Sequence, residues 1–202
     1  YRAEEIVIRD GRYFFTFHWP QGMWKDVELG LPGTHNVENA VAAIAVSLAV
    51  GLDEQQIRSG LSSFAGVKRR FEYRIRRSDL VLIDDYAHHP EELRACIGSV
   101  RELYPDKRIT GVFQPHLFTR TRDFADGFSE ALSLLDEVIL LPIYPARELP
   151  LPGIDSQMLL DNISTRAKKL VEKGDLLAEL TSSPREVIVM LGAGDIDALV
   201  AP

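Results

Sequence analysis

The chain has 202 residues, 46% hydrophobic and 26% charged, which suits one large globular domain or two small ones. Its net charge of -7 excludes a broad basic face for nucleic acid, although Lys68-Arg69-Arg70 is basic enough to hold a small anion. A single cysteine, Cys96, rules out an internal disulfide and fits a cytoplasmic setting, and no apolar run of about 18 residues offers a membrane span.

The first residue is Tyr1, already in strand-like sequence, which reads as a cut from something longer. Residues 6–8, 13–19 and 27–29 are predicted strands of a small antiparallel sheet, with Asp10-Gly11 as the hairpin turn between the first two. Val37, Val41, Ile44 and Leu48 then fall on one face of a helix ending at Gly51. Asp53 is placed to cap a second helix, with Gln56 three residues on and Ile57, Leu61 and Phe64 as its core face.

At 65–70 (AGVKRR) the pattern changes to alternating strands and helices. Strands are predicted at 71–76, 80–83, 109–113, 138–141, 168–171 and 187–191. Helices are predicted at 90–104, 120–135, 155–162 and 174–180, with a last helical turn at 196–200. Cys96 lies on the apolar side of its helix, as a buried structural thiol would. This alternation implies an α/β fold, a mainly parallel sheet covered on both faces, in a Rossmann-like domain over 68–202.

Ligands of such sheets bind beyond the carboxyl ends of the strands. DDYAHHP (84–90) follows one strand, QPHLFTRTR (114–122) another, PIYPARE (142–148) a third and GAGD (192–195) the last. The strand beginnings are plainer, so one edge is a binding edge. DDYAHHP itself reads in three ways: a capped strand-to-helix turn, a metal site drawing on His88, His89 and His116, or an anion site at the helix opened by Pro90. Arg120 and Arg122 sit at a helix start, where the dipole prefers acids, so they are either a solvated pair or contacts for an anionic substrate. Gly192-Ala193-Gly194 is too short for a dinucleotide fingerprint and reads as a tight turn; no Walker loop occurs. Asn36 and Asn39 share a face at a helix start, where their amides either cap the helix or read the edge of a heterocycle.

PGTHNVENA, GVKRRFE, DDYAHHP, FQPHLFTRTRDF, YPARE and LGAGDI occur in that order between residues 31 and 196. Together they resemble the Mur ligases of peptidoglycan synthesis. Within that family they look most like the member that joins L-alanine to UDP-N-acetylmuramate, and next like the one that reattaches recycled murein peptide. The resemblance implies that 1–67 is the C-terminal part of a central ATP-binding domain and 68–202 the C-terminal domain, with 65–70 as a hinge. It implies ATP-dependent amide formation through an acyl phosphate, with magnesium held mainly by residues of the missing part. The isolated chain is then inactive for want of the Walker loop. It further implies that His35, Asn36, Asn39, Arg70, Asp85 and Tyr86 bind ATP. His88 and Arg120 are implied as catalytic, and His88, His116, Arg120 and Arg122 as facing the muramoyl end or the amino acid. Leu117 stands where many relatives carry Arg. A reading from another class is a metal-dependent phosphoesterase, prompted by AHHP, although Ala87 replaces the Asp that such a signature needs.

Overall fold

The computed structural model describes residues 1–199. The chain divides into two compact units, Tyr1–Val67 and the remainder from Lys68.

The first unit is a three-stranded antiparallel sheet, β1 (Arg2–Arg9), β2 (Arg12–Trp19) and β3 (Gly22–Leu29), with helices α1 (Thr34–Ala49) and α2 (Glu54–Ser63). The β1–β2 turn places Asp10 and Gly11 both at positive φ, 52° and 71°, the backbone that lets a two-residue turn follow the strand twist. Alternate residues Tyr13, Phe15 and Phe17 of β2 are buried, as are Val37 and Ile44 of α1 and Ile57 of α2. The expected capping box at α2 is present in both directions. The Asp53 carboxylate accepts from Gln56 N–H at 2.8 Å, and the Gln56 side chain accepts from Asp53 N–H at 3.0 Å. Phe64 departs from expectation: α2 ends at Ser63, and Phe64 lies beyond it with an exposed ring.

The second unit is a six-stranded sheet. Its strands are β4 (Glu72–Arg76), β5 (Val81–Asp85), β6 (Ile109–Phe113), β7 (Glu137–Leu140), β8 (Ala167–Leu170) and β9 (Val187–Leu191). Their spatial order is β4-β5-β9-β6-β7-β8, parallel except for β4, which pairs antiparallel with β5. The last strand therefore returns to the middle, between β5 and β6. All five residues of β6 and of β9 are buried, as strands covered on both faces require. Val187, Val189 and Leu191 join one core cluster, with α3 (Pro90–Leu103), α5 (Ala125–Leu132) and α6 (Ser156–Asn162). Ile188 and Met190 join the cluster on the other face, with Leu176 of α7 (Leu176–Thr181) and Ile196.

The helix predicted over 120–135 is two helices, α4 (Phe118–Asp123) and α5. Phe124 separates them with φ −119° and ψ 20°, and its ring lies against His89 at 4.6 Å instead of in the core. The final turn is a 3-10 helix, Asp195–Leu199; Val200, the last residue of its predicted range, lies outside the described residues.

Candidate functional site

In the first unit, the three residues expected at a nucleotide lie in the first turns of α1. His35 and Asn39 are exposed and Asn36 is half-buried. The N-cap of this helix is Gly33, and no side chain caps it. Asn36 instead donates from Nδ2 to Pro32 O at 2.7 Å, closing the turn that precedes the helix, and Asn39 donates to Asn36 Oδ1 at 3.4 Å. Neither amide is a helix cap, so capping explains neither asparagine.

In the second unit, the segments after the parallel strands meet at one edge. DDYAHHP is divided by depth. Asp84 is 1% exposed. Burial pushes its carboxyl up to about 6, against the pull of Arg69, while Asp197 and Glu72 push further the same way. Asp85 receives backbone donors on both oxygens, Phe71 N–H on Oδ2 at 2.7 Å and Ala87 N–H on Oδ1 at 2.8 Å. Those bonds hold the turn in shape. Phe71 takes a left-handed φ of 50° there. Tyr86 turns outward, 40% exposed.

The two adjacent histidines diverge. His88 Nδ1 lies 2.9 Å from Tyr86 O and 3.3 Å from a Glu92 carboxylate oxygen, which makes Nδ1 the donor nitrogen of the ring. The backbone N–H groups of His88 and His89 both donate to the Glu92 carboxylate, at 2.9 and 3.1 Å, and so tie the turn to the start of α3. His89 itself packs on Phe124.

His88 approaches His116, ring centroids 6.4 Å apart. His116 stacks on Tyr144 at 5.5 Å and 19°, and its Nδ1 lies 3.5 Å from an Arg120 guanidinium nitrogen. Burial lowers the His116 pKa, and the charges of Arg120 and His88 lower it further, against Glu148. A neutral His116 can then accept from Arg120. His88, His116 and Arg120 are thus brought together at the strand ends. Arg122 is not with them: it is exposed and paired with Asp123 at 2.7 Å.

Two supports for this cluster come from YPARE. Tyr144 exchanges backbone bonds with the segment after β6, donating to Pro115 O at 2.8 Å and accepting from Leu117 N–H at 2.9 Å. Glu148 accepts from Thr119 N–H at 2.9 Å and from the Thr119 hydroxyl, at the start of the helix that carries Arg120. Leu117 occupies the N-cap position at φ 71°. Sequence reasoning noticed this segment as polar and at a strand end, but nothing in it named Tyr144 or Glu148.

The basic run 68–70 also divides. Arg70 is exposed. Arg69 is turned into the edge, its side chain 13% exposed, so the run does not present three free cations. Gly192 and Gly194 are explained by close approach. A Cβ on Gly194 would stand 2.4 Å from Gln114 Oε1, and one on Gly192 would stand 2.8 Å from Gln114 O, at a φ of 142° that favours glycine. Gln114 in turn donates to Asp195 at 3.1 Å.

Among the described residues no group of three or more His, Cys, Asp or Glu side chains could hold a metal ion. No described residue is therefore assigned to a metal, and the phosphoesterase reading gains no support from the structure. No described helix is long and apolar enough to cross a membrane.

Residues 69–196 match the family described as Mur ligase, glutamate ligase domain. The chain belongs to the Mur ligase family. It is 56% identical over 203 residues to the UDP-N-acetylmuramate–L-alanine ligase of Porphyromonas gingivalis, covering 100% of this chain and 44% of that protein. The crystal structure of the UDP-N-acetylmuramate–alanine ligase of Thermotoga maritima superposes with a TM-score of 0.83 at 28% identity, over 98% of this chain and 43% of that one. A murein peptide ligase from Psychrobacter arcticus, at 23% identity and a TM-score of 0.63 over 98% of this chain and 42% of its own, shares the fold. This Mur ligase chain thus spans less than half the length of the relatives it matches.

Proposed function

We propose that this chain is the C-terminal portion of a cytoplasmic, ATP-dependent ligase that joins L-alanine to UDP-N-acetylmuramate in peptidoglycan synthesis. The observation that carries the reading is the His88–His116–Arg120 cluster at the carboxyl edge of the parallel sheet. It is supported by the 56% identity, along the whole chain, to a ligase of that name.

In this reading the cluster meets the muramoyl carboxyl end. Arg120 supplies a fixed cation for the charge that gathers as amide replaces acyl phosphate. The amine nitrogen forms a bond to the carbonyl carbon, the bond from that carbon to the phosphate oxygen breaks, and phosphate departs with the electron pair. His88, with Nδ1–H committed to Tyr86 O, offers Nε2 to take the amine proton. His116 is the neutral brace between His88 and Arg120. Arg122, exposed and paired with Asp123, is left at the rim of substrate binding. Nucleotide contacts are assigned to Tyr86, whose ring is exposed, to Arg70, to Asp85, and to His35, Asn36 and Asn39 on α1. Asp85 has backbone donors on both oxygens, so its part is first to shape the turn that presents Tyr86. ATP supplies the phosphoryl group that activates the carboxylate, and magnesium enters only as its companion, with no residue of this chain assigned to it.

The test is phosphate release by the full-length enzyme, with ATP and UDP-N-acetylmuramate, offered L-alanine or a murein peptide. Release that depends on L-alanine, and falls about 100-fold or more in Arg120→Ala, is the expected result. Release that depends on the peptide instead would move the assignment to the recycling ligase. The 202-residue chain alone is expected to release none, and turnover by it would contradict its reading as an inactive portion.

A further inference from the structure

Arg69 sits in a conformation its residue type does not favour. Its φ is 59°, in the left-handed region that suits glycine, and a non-glycine residue there costs about 1 kcal/mol or more. The side chain shows what holds it. One terminal nitrogen donates to Gly192 O at 2.5 Å and the other to Gly194 O at 3.3 Å. Asp84 lies 3.8 Å away and Asp197 3.7 Å away. The guanidinium carbon stands 4.9 Å from the centre of the Tyr86 ring, within the range of a cation–π contact. The backbone of the same residue accepts from Tyr86 N–H at 2.7 Å.

One residue therefore joins three segments: the 69–71 strip, the turn after β5 and the loop after β9. Backbone bonds tie these segments only in pairs, Gly192 N–H to Asp85 O at 3.2 Å and Tyr86 N–H to Arg69 O, whereas the Arg69 side chain spans from its own strip to both others. A lysine would supply one charged point, whereas the planar guanidinium reaches two carbonyls and a ring face together.

We propose that Arg69 is a positioning residue that holds Tyr86 and the loop at 192–194 as one preassembled ligand edge, without itself touching ligand. For the identity of the ligand, the proposal rests on the nucleotide reading of Tyr86; for the assembly of the edge, it does not.

The experiment compares Arg69→Gly, Arg69→Lys and Arg70→Gly with the parent. Glycine accepts the left-handed backbone, so the first variant removes the side chain without adding strain. Amide hydrogen exchange on the 202-residue chain is expected to quicken about 10-fold or more at Tyr86 and Gly192 in Arg69→Gly, with β6 and β7 still protected. Arg69→Lys is expected to fall between, and Arg70→Gly to leave both amides unchanged. Unchanged exchange in Arg69→Gly overturns the proposal. So does uniform loss across the sheet, which would make Arg69 general support for the fold. In the full-length enzyme, calorimetric titration with ATP is expected to show about 10-fold weaker binding in Arg69→Gly, with UDP-N-acetylmuramate affinity unmoved. If the parent binds no ATP, the nucleotide reading falls, and the exchange result still decides the role of Arg69.

Discussion

Asp84 and Asp85 are neighbours of the same residue type with different physics. Asp85 is surrounded by backbone donors, whereas Asp84 is buried beside an arginine that lies too far off to hydrogen-bond it. The Asp84 carboxyl is raised from 3.8 to about 6. Between those values the native state binds more protons than the unfolded one, so stability falls as pH rises through the window and levels off above it. Asp84→Asn removes this slope. Urea denaturation from pH 4 to 7 should show the stability of the parent, relative to Asp84→Asn, falling by about 2 kcal/mol. Parallel curves for the two proteins would show that Asp84 does not titrate there. Glu148 is the other residue whose role is local. Glu148→Ala removes both acceptors at Thr119 and should cost about 1 kcal/mol in the same measurement. On the proposed reading it should also raise the KM for UDP-N-acetylmuramate in the full-length enzyme, by loosening the helix that carries Arg120. Glu148→Gln, which keeps one acceptor oxygen, should recover part of each effect.

At the scale of elements, the central strands leave no spare volume. A Cβ on Gly111 of β6 would stand 2.3 Å from a methyl of Leu135, which itself is buried in the same face. Gly111→Ala must displace that side chain and should cost about 1–3 kcal/mol, read as a lowered melting temperature. Most elements were legible from periodicity, because burial on one face writes a regular pattern into a helix or strand. The alternation in 13–17 is a plain example, whereas the run 187–191 is legible as an unbroken apolar stretch because that strand is covered on both faces. Two boundaries were not legible. The break at Phe124 has no Gly or Pro to mark it, and the ring turns away because His89, 35 positions earlier in the chain, offers it a partner. Phe64 continues the spacing of Ile57 and Leu61, but the helix ends one residue before it. A periodic pattern cannot report where its helix stops.

For the whole molecule, two units with separate cores imply separate folding competence. The clusters of the second unit draw only on residues from Phe71 onward. Residues 68–202 expressed alone should therefore give a cooperative thermal transition with mixed α/β circular dichroism. A chain that stays unfolded would show that this core needs the first unit. The sequence by itself determined the fold class and which polar segments follow the strands, because strand–helix alternation and polar strand ends are local patterns. Its ordered motifs also pointed to the Mur ligase family, with which the match over 69–196 agrees. Only the tertiary structure decided the spatial order, with β9 returning between β5 and β6, and hence which strand ends are neighbours. It also separated residues that look alike in sequence: Arg69 from Arg70, His88 from His89, Arg120 from Arg122. Each of those pairs is close along the chain, and the chemistry of each member is set by groups the fold brings from far away.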